Sequence, residues 1–522
     1  MSSAIINEPA SIFNDVIGPV MTGPSSSHTA GPARIGKAVH DIVGGDIKRA
    51  TIYFKRDGSY PGTYQGQGSD KGFIGGLLGF GPEHALLANA LEEATKRGME
   101  FCFEVEENPH PHPNTARIVV IDSANREREF LTESTGGGMF RIVAMDGHDV
   151  SVNGAFWEMF LQCLDEAALH SVCAVARAAG AKASCSKNDF NLLAQITSEK
   201  PFSGELLAAR ELEIAHGCVV SILEPILPVA GKFQYDIPFY TAGQILEQGD
   251  KSISPVSLAL EYERARSGLT DDGILFRMQS VIRIMRRAAR LGLEKVLPVS
   301  GFLHPKAATM ARNLPKVNTA DLGVMNRGML IATAIMEYNS AGGIVVAAPT
   351  AGSCGVLPAV VLSMAESMEL SEKEQAEAML VAGLVGVFIA HQATFAAEVC
   401  ACQAEVGAAT AMAAAAAVQL LGGSVRQAFD AAALALQNVL GLICDPVAGL
   451  VEIPCINRNT MGAANAVASA NMVMAGFDPV IPLDEVIDTM LRVGRMLPSE
   501  LRCTNRGGLC LAPTARKIQE SL

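Results

Sequence analysis

Three cysteines in the last quarter of the chain have the type and context for metal chemistry. Cys402 sits in Ala-Cys-Gln-Ala-Glu-Val-Gly, Cys444 in Cys-Asp-Pro-Val-Ala-Gly, and Cys455 in Glu-Ile-Pro-Cys-Ile-Asn-Arg-Asn, a C-x41-C-x10-C spacing. Buried cysteine is a common small hydrophobe, but these neighbours point elsewhere. Cys444 precedes Asp-Pro and Cys455 follows Pro, so both belong at turns or helix ends. Cys402 comes shortly before an alanine-rich helix, whose free N–H groups and dipole favour an anionic thiolate. Three thiolates can hold three corners of a 4Fe–4S cube and leave the fourth iron open as a Lewis acid.

Two polar strings supply groups for a small ligand. Thr22-Gly-Pro-Ser-Ser-Ser-His-Thr-Ala-Gly-Pro places Ser25, Ser26, Ser27, His28 and Thr29 between glycines, a donor-rich loop suited to a carboxylate. A polar turn opening an N-capped helix would look the same. In Asn339-Ser-Ala-Gly-Gly-Ile-Val-Val-Ala-Ala-Pro-Thr-Ala-Gly-Ser-Cys-Gly, a short β-type run enters a turn at Thr350, Ala351, Gly352 and Ser353.

These strings resemble the iron–sulfur-dependent L-serine dehydratases. The likeness runs through Arg34-Ile-Gly, Tyr64-Gln-Gly-Gln-Gly-Ser-Asp, Gly75-Gly-Leu-Leu-Gly-Phe and Thr135-Gly-Gly-Gly, and covers about 1–150 and 270–516. It implies a β-type and an α-type part fused in one chain. It also implies a 4Fe–4S cluster on Cys402, Cys444 and Cys455, with Cys402 rather than Cys400 as first ligand. The Ser25–Thr29 loop would hold the substrate carboxylate with His28 as the candidate base, and Thr350–Ser353, Gln67, Ser69 and Asp70 would line the substrate site. Cys354 would line rather than ligate, and Cys102, Cys163, Cys173, Cys185 and Cys218 read as packing.

The chain departs from the family pattern at four places. A Gly-His-Gly-Thr-Asp segment reads Gly66-Gln67-Gly68-Ser69-Asp70, and glutamine cannot act as a base near neutrality. An Asn-x-Ser-Ile-Ser-Gly segment becomes Gln392-Ala-Thr-Phe-Ala396-Ala397, which removes a hydroxyl and adds methyls and a ring. Where some members carry a tail cysteine this chain has Ala515, which leaves Cys503 or Cys510 open as a substitute. Residues 151–190 read as a helical connector too short for the regulatory ACT domain of some relatives.

The elements that must position these residues form an α+β N-terminal domain (1–150) joined through that connector to a mostly all-α C-terminal catalytic domain (191–522). Arg49–Phe54 and Ala116–Ile121 are predicted strands, and Glu83–Arg97 a predicted helix. Asn108-Pro-His-Pro-His-Pro-Asn is a predicted loop, since proline keeps its histidines off one helical face. Trp157 is expected in the core. Capping boxes begin at Ser371 and Ser424, and Gly422-Gly423 ends the alanine-rich run.

Bulk properties exclude other classes. At 522 residues, 49% apolar, the chain can fill several cores. A net charge of −13 argues against a nucleic-acid partner. Met1–Glu8 lacks the basic start and apolar core of a signal peptide, and the apolar run Met379–Ala390 is too short to span a bilayer. A cytoplasmic homodimer acting on a small amino acid, away from membranes, is expected, its cysteines mostly thiols or ligands. Pyridoxal phosphate is not expected, because Lys373 is the only lysine between Lys316 and Arg516. The favoured reaction is dehydration and deamination of L-serine to pyruvate and ammonia. The alternatives are the same chemistry on another β-substituted acid, or a cluster-bearing sensor without turnover.

Overall fold

The computed structural model describes residues 8–204, 206–207, 218–248, 253–294, 297–298 and 301–522. Residues 1–7, on which the leader reading rests, lie outside the described residues. Sheets and helices alternate in the first part of the chain, and the later part is mostly helical.

The strands are β1 (Val20–Thr22), β2 (Ile47–Lys55), β3 (Glu100–Glu106), β4 (Thr115–Asp122), β5 (Glu127–Gly136), β6 (Met139–Met145), β7 (His148–Val152), β8 (Trp157–Cys163), β9 (Lys182–Lys187), β10 (Leu192–Ser198), β11 (Val219–Leu223) and β12 (Ile344–Val346). A six-stranded sheet runs β3-β2-β4-β5-β6-β7, antiparallel except for β2 with β3. The predicted strands at 49–54 and 116–121 lie in β2 and β4, where alternate residues Ala50, Ile52 and Phe54 are buried. The predicted helix over 83–97 is shorter: Pro82 starts a turn, a 3-10 turn occupies Leu87–Asn89, and only Ala90–Lys96 is α-helical.

Helices Gly31–Val43 and Ser69–Leu77 cross at contact distance, and glycine makes this possible. A Cβ at Gly36 would stand 2.8 Å from Gly76 Cα, and one at Gly76 would stand 2.3 Å from the Ala33 carbonyl. A Cβ at Gly72 would meet the Thr29 carbonyl at 2.5 Å, so this crossing brings the Ser25–Thr29 loop to the start of the second helix.

Residues 157–223 correct the connector reading. Among the described residues they form a four-stranded antiparallel sheet, order β11-β8-β10-β9, with helix Glu166–Ala178 between β8 and β9. That strand order is the split βαβ arrangement. The segment therefore contains a layered unit with its own core of Met159, Leu161, Leu169, Val172 and Ile196, and shortness no longer argues against an intervening domain. Trp157 begins β8 half-buried. Cys163, Cys173 and Cys218 are packed, whereas Cys102 and Cys185 are exposed, so packing does not account for those two.

The helical part surrounds Ala408–Leu420, whose small side chains let Glu372–Gln392, Val425–Gln437 and Cys455–Met474 approach closely. Both capping boxes form: Ser371 with Glu374 and Ser424 with Gln427. Gly422 adopts φ 75° just past the alanine-rich helix. Two stretches, 351–368 and 372–392, are long and apolar enough to cross a membrane, yet 72% and 78% of them lies buried inside the protein. The chain start also belongs to this core: Ile12, Phe13, Val16 and Ile17 pack in it, and β1 pairs antiparallel with β12. The boundary at 150 thus does not separate the packing.

Candidate active site

Cys402 caps the turn Gln403–Gly407 ahead of the alanine-rich helix, and Cys455 is the first residue of helix Cys455–Met474 behind Pro454. Cys444 lies in an isolated bridge with Arg502. Cys402 Sγ, a Glu405 carboxylate oxygen and Cys444 Sγ lie within 4.8 Å of one another. Hydrogen bonds to Cys402 and Cys503, together with burial, push the Cys444 thiol well up; burial, then the nearby Cys402, does the same to Cys455. Arg458 reaches this group from the next helical turn, its Nη1 3.6 Å from Cys402 Sγ and its Nη2 bonded to Asp445 at 2.8 Å.

The donor set suits a sulfur-ligated metal group. Several buried sulfurs beside one guanidinium are soft donors, unlike the all-oxygen sets of magnesium or calcium. Thiols held protonated by burial would release their protons to solvent as a metal bound. Cys400 points away, towards the Leu491 carbonyl, and Cys354 faces Met336. Cys510 is occupied with the Gly507 carbonyl at 2.9 Å.

Cys503 is what sequence reasoning left open. It is buried with Cys402 and Cys444, adopts φ 58°, and donates its N–H to the Cys444 carbonyl at 3.2 Å. Gln67 Nε2 donates to its sulfur at 3.4 Å. Its carbonyl accepts from Ser59 Oγ at 2.8 Å, so Ser59 in turn accepts from His28 Nε2 at 3.0 Å. That fixes the Nε2–H tautomer and leaves His28 Nδ1 to accept from Ser27 Oγ at 2.8 Å. Burial lowers the His28 pKa to about 3, so the imidazole is neutral.

The other predicted residues gather around this chain of contacts. Ser25 Oγ accepts from the His28 N–H, Ser26 Oγ accepts from the Ala351 N–H at 3.3 Å, and Thr29 Oγ1 donates to the Gln67 carbonyl at 2.7 Å. Thr350 Oγ1 donates to Glu405 at 2.8 Å. Ser353 is spent within its own turn and Gly352 offers its carbonyl to Asn459, so these two shape the loop. Ser69 Oγ is buried without a partner, and Asp70 holds the Lys71 N–H. Lys373 stands exposed at a helix start beside Glu377.

Sequence reasoning missed Ser59, Tyr60, Asn114, Glu398 and Glu405. Asn114 ends the Pro/His loop and donates to Glu398 at 2.7 Å. Tyr60 packs edge-on against His28, ring centres 5.1 Å apart. Glu405 follows Cys402 by three residues, in the Cys-Gln-Ala-Glu string already singled out, so its place by the sulfurs was within reach of helical spacing. Asn114 and Glu398 border strings already singled out, whereas Ser59 and Tyr60 lie in a stretch with no motif around them.

The family model described as serine dehydratase alpha chain matches 248–510. The chain is 37% identical over 279 residues to a probable L-serine dehydratase alpha chain of Bacillus subtilis (strain 168), covering 53% of this chain and 92% of that one. It is 37% identical over 285 residues to the L-serine dehydratase alpha chain of Peptoniphilus asaccharolyticus, with 53% and 96% covered. It is 29% identical over 506 residues to the L-serine dehydratase TdcG of Escherichia coli (strain K12), with 94% and 96% covered.

Proposed function

The chain belongs to the L-serine dehydratase family, and we propose that it dehydrates and deaminates L-serine to pyruvate and ammonia with a 4Fe–4S cluster held by Cys402, Cys444 and Cys455. The observation that carries this reading is the contact chain from Ser27 through His28 and Ser59 to the Cys503 carbonyl, which joins the donor loop to a residue packed with Cys402 and Cys444. Such a cluster supplies a Lewis-acidic iron that eases departure of the β-hydroxyl.

The protein's own groups divide the remaining work. The Ser25–Thr29 loop, a helical turn running into helix Gly31–Val43, binds the substrate carboxylate through N–H and O–H donors. Ser27 Oγ takes the α-proton while passing its own to His28 Nδ1, and the Ser59-to-Cys503 bond keeps the ring in the tautomer that allows this. The hydroxide leaving the β-carbon takes up the proton held on His28 Nδ1, returned by way of Ser27 Oγ, and departs as water with the imidazole neutral again, and the enamine so formed tautomerises and hydrolyses to pyruvate and ammonia. Thr350 holds Glu405 beside Cys402, and Arg458 offsets negative charge there.

The test is pyruvate formation from L-serine by protein purified and reconstituted without oxygen. Turnover that is lost together with the cluster on exposure to air is expected. Fully loaded protein that forms no pyruvate from L-serine would overturn the reading.

A further inference from the structure

An amino acid enters a site as a zwitterion, and its two charges need opposite partners. The donor loop accounts for the carboxylate. The ammonium brings three N–H donors, each of which needs an acceptor in a water-poor interior. We infer that Glu398, together with Asn114 and Tyr60, is the acceptor site for the substrate's α-ammonium group, an assignment that rests on the dehydratase reading above.

Three oxygens in this neighbourhood make no hydrogen bond of good geometry: Glu398 Oε2, Asn114 Oδ1 and Tyr60 Oη, the last with Ser134 nearby. Their residues are 4%, 0% and 0% exposed. Buried polar atoms left unpaired are rare and costly, and three together are expected where a ligand completes the bonding. All three can accept. Asn114 spends its N–H on Glu398 Oε1 at 2.7 Å, which orients the carboxyl and leaves one oxygen of each group spare.

Their placement fits the reaction. Asn114 is anchored from the sheet side, its carbonyl accepting from the Ser134 N–H at 3.1 Å, and Ser59 N–H bonds the Pro113 carbonyl next to it. Tyr60 lies edge-on to His28. Glu398 is the second residue of the short helix Ala397–Cys400, four residues ahead of Cys402 and directly after the segment that departs from the family pattern. Glu398 is bonded to Asn114, it feels the charge of Glu405, which stands 3.9 Å from Cys402 Sγ, and Tyr60 feels the charge of Glu398, so the three residues share one neighbourhood.

Charge points the same way. The only side-chain hydrogen bond to Glu398 among the described residues comes from a neutral amide, and burial pushes its carboxyl up to about 8. A carboxyl in that state lacks a counter-charge, and an ammonium provides one.

The experiment compares two ligands that differ only in the amino group, L-serine and 3-hydroxypropanoate, in wild type, Glu398→Gln and Glu398→Asp, each checked for equal iron content. Loss of one charge-assisted hydrogen bond should raise KM for L-serine about 10–150-fold in Glu398→Gln, with kcat less affected. Inhibition by 3-hydroxypropanoate should change by less than about threefold, and Glu398→Asp should recover part of the serine affinity. Equal weakening of both ligands would make Glu398 a packing residue and overturn the assignment, as would no change in either. Wild type that makes no pyruvate from L-serine would overturn the dehydratase reading instead. Calorimetric binding of the same two ligands then decides the acceptor role by itself: only a preference for L-serine that Glu398→Gln abolishes upholds it, and any other result, including no binding, overturns it.

Discussion

The site wall built from residues 25–136 and the wall built from 350–503 respond to burial in different ways. The first consists of hydroxyls, amides and one imidazole: Ser25, Ser27, Ser59, Tyr60, Gln67, Asn114 and His28. Burial costs these little because they are neutral, and it removes the one positive charge His28 would carry. The second consists of thiols and carboxyls: hydrogen bonds to Cys402 and Cys503, with burial, push Cys444 up, burial and nearby charge push up Cys455 and Glu398, and burial alone pushes up Glu405, with Arg458 as the guanidinium at the sulfurs. The first wall offers donors to an anion. The second can give up protons to solvent in exchange for a cation, whether a metal or an ammonium. On the proposed reading, a zwitterion between them is held in one orientation, its carboxylate towards Ser25–Thr29 and its hydroxyl towards the sulfurs.

Removing the proton relay from the first wall should have the largest effect. His28→Asn keeps the turn but cannot take the Ser27 proton, so kcat should fall by about 10²–10⁴-fold, a loss typical of a general base. An unchanged kcat would move proton transfer to the other wall. Gln67 sits where the walls touch, donating to Cys503. Catalytic efficiencies for L-serine and related β-hydroxy and β-thiol amino acids in Gln67→His should differ from wild type by about 10–200-fold in their ratios. If L-serine is already used as well as any analogue and the variant leaves its efficiency unchanged, Gln67 has no part in selecting the substrate.

The smallest effect lies outside both walls and concerns stability. Glu158, fully buried on β8, accepts from Gln195 and Thr197, and burial pushes its pKa to about 8. The folded state therefore keeps a proton that the unfolded chain releases near its ordinary value of 4.5. Its contribution is complete below that value and is lost as pH rises towards 8. Glu158→Gln should thus gain about 1–3 kcal/mol relative to wild type between pH 5 and pH 8, read from denaturant midpoints. A pH-independent difference would mean that Glu158 titrates alike in both states.

What the sequence revealed follows from the range over which each feature is determined. Capping at Ser371 and Ser424, the buried faces of β2 and β4, and the alanine-rich helix depend on neighbours a few residues away, and all were readable. The sheet of 157–223 was not. Trp157–Cys163 is an almost unbroken buried run that a helix could also bury, and Lys182–Lys187 is largely exposed and polar. The cysteines and the Ser25–Thr29 loop announced themselves through local motifs. Ser59, Asn114 and Glu398 acquire meaning only through contacts such as Ser59 with Cys503, 444 positions apart. No periodicity encodes those.

The most direct measurement is iron and sulfide content after oxygen-free reconstitution, in wild type and in Cys402→Ala, Cys444→Ala, Cys455→Ala and Cys503→Ala. Wild type should bind about four iron and four sulfide per chain. Cys444→Ala should lose most of it, as should the other two ligand variants, while Cys503→Ala retains it. Full cluster retention in all three ligand variants would contradict the assignment of Cys402, Cys444 and Cys455.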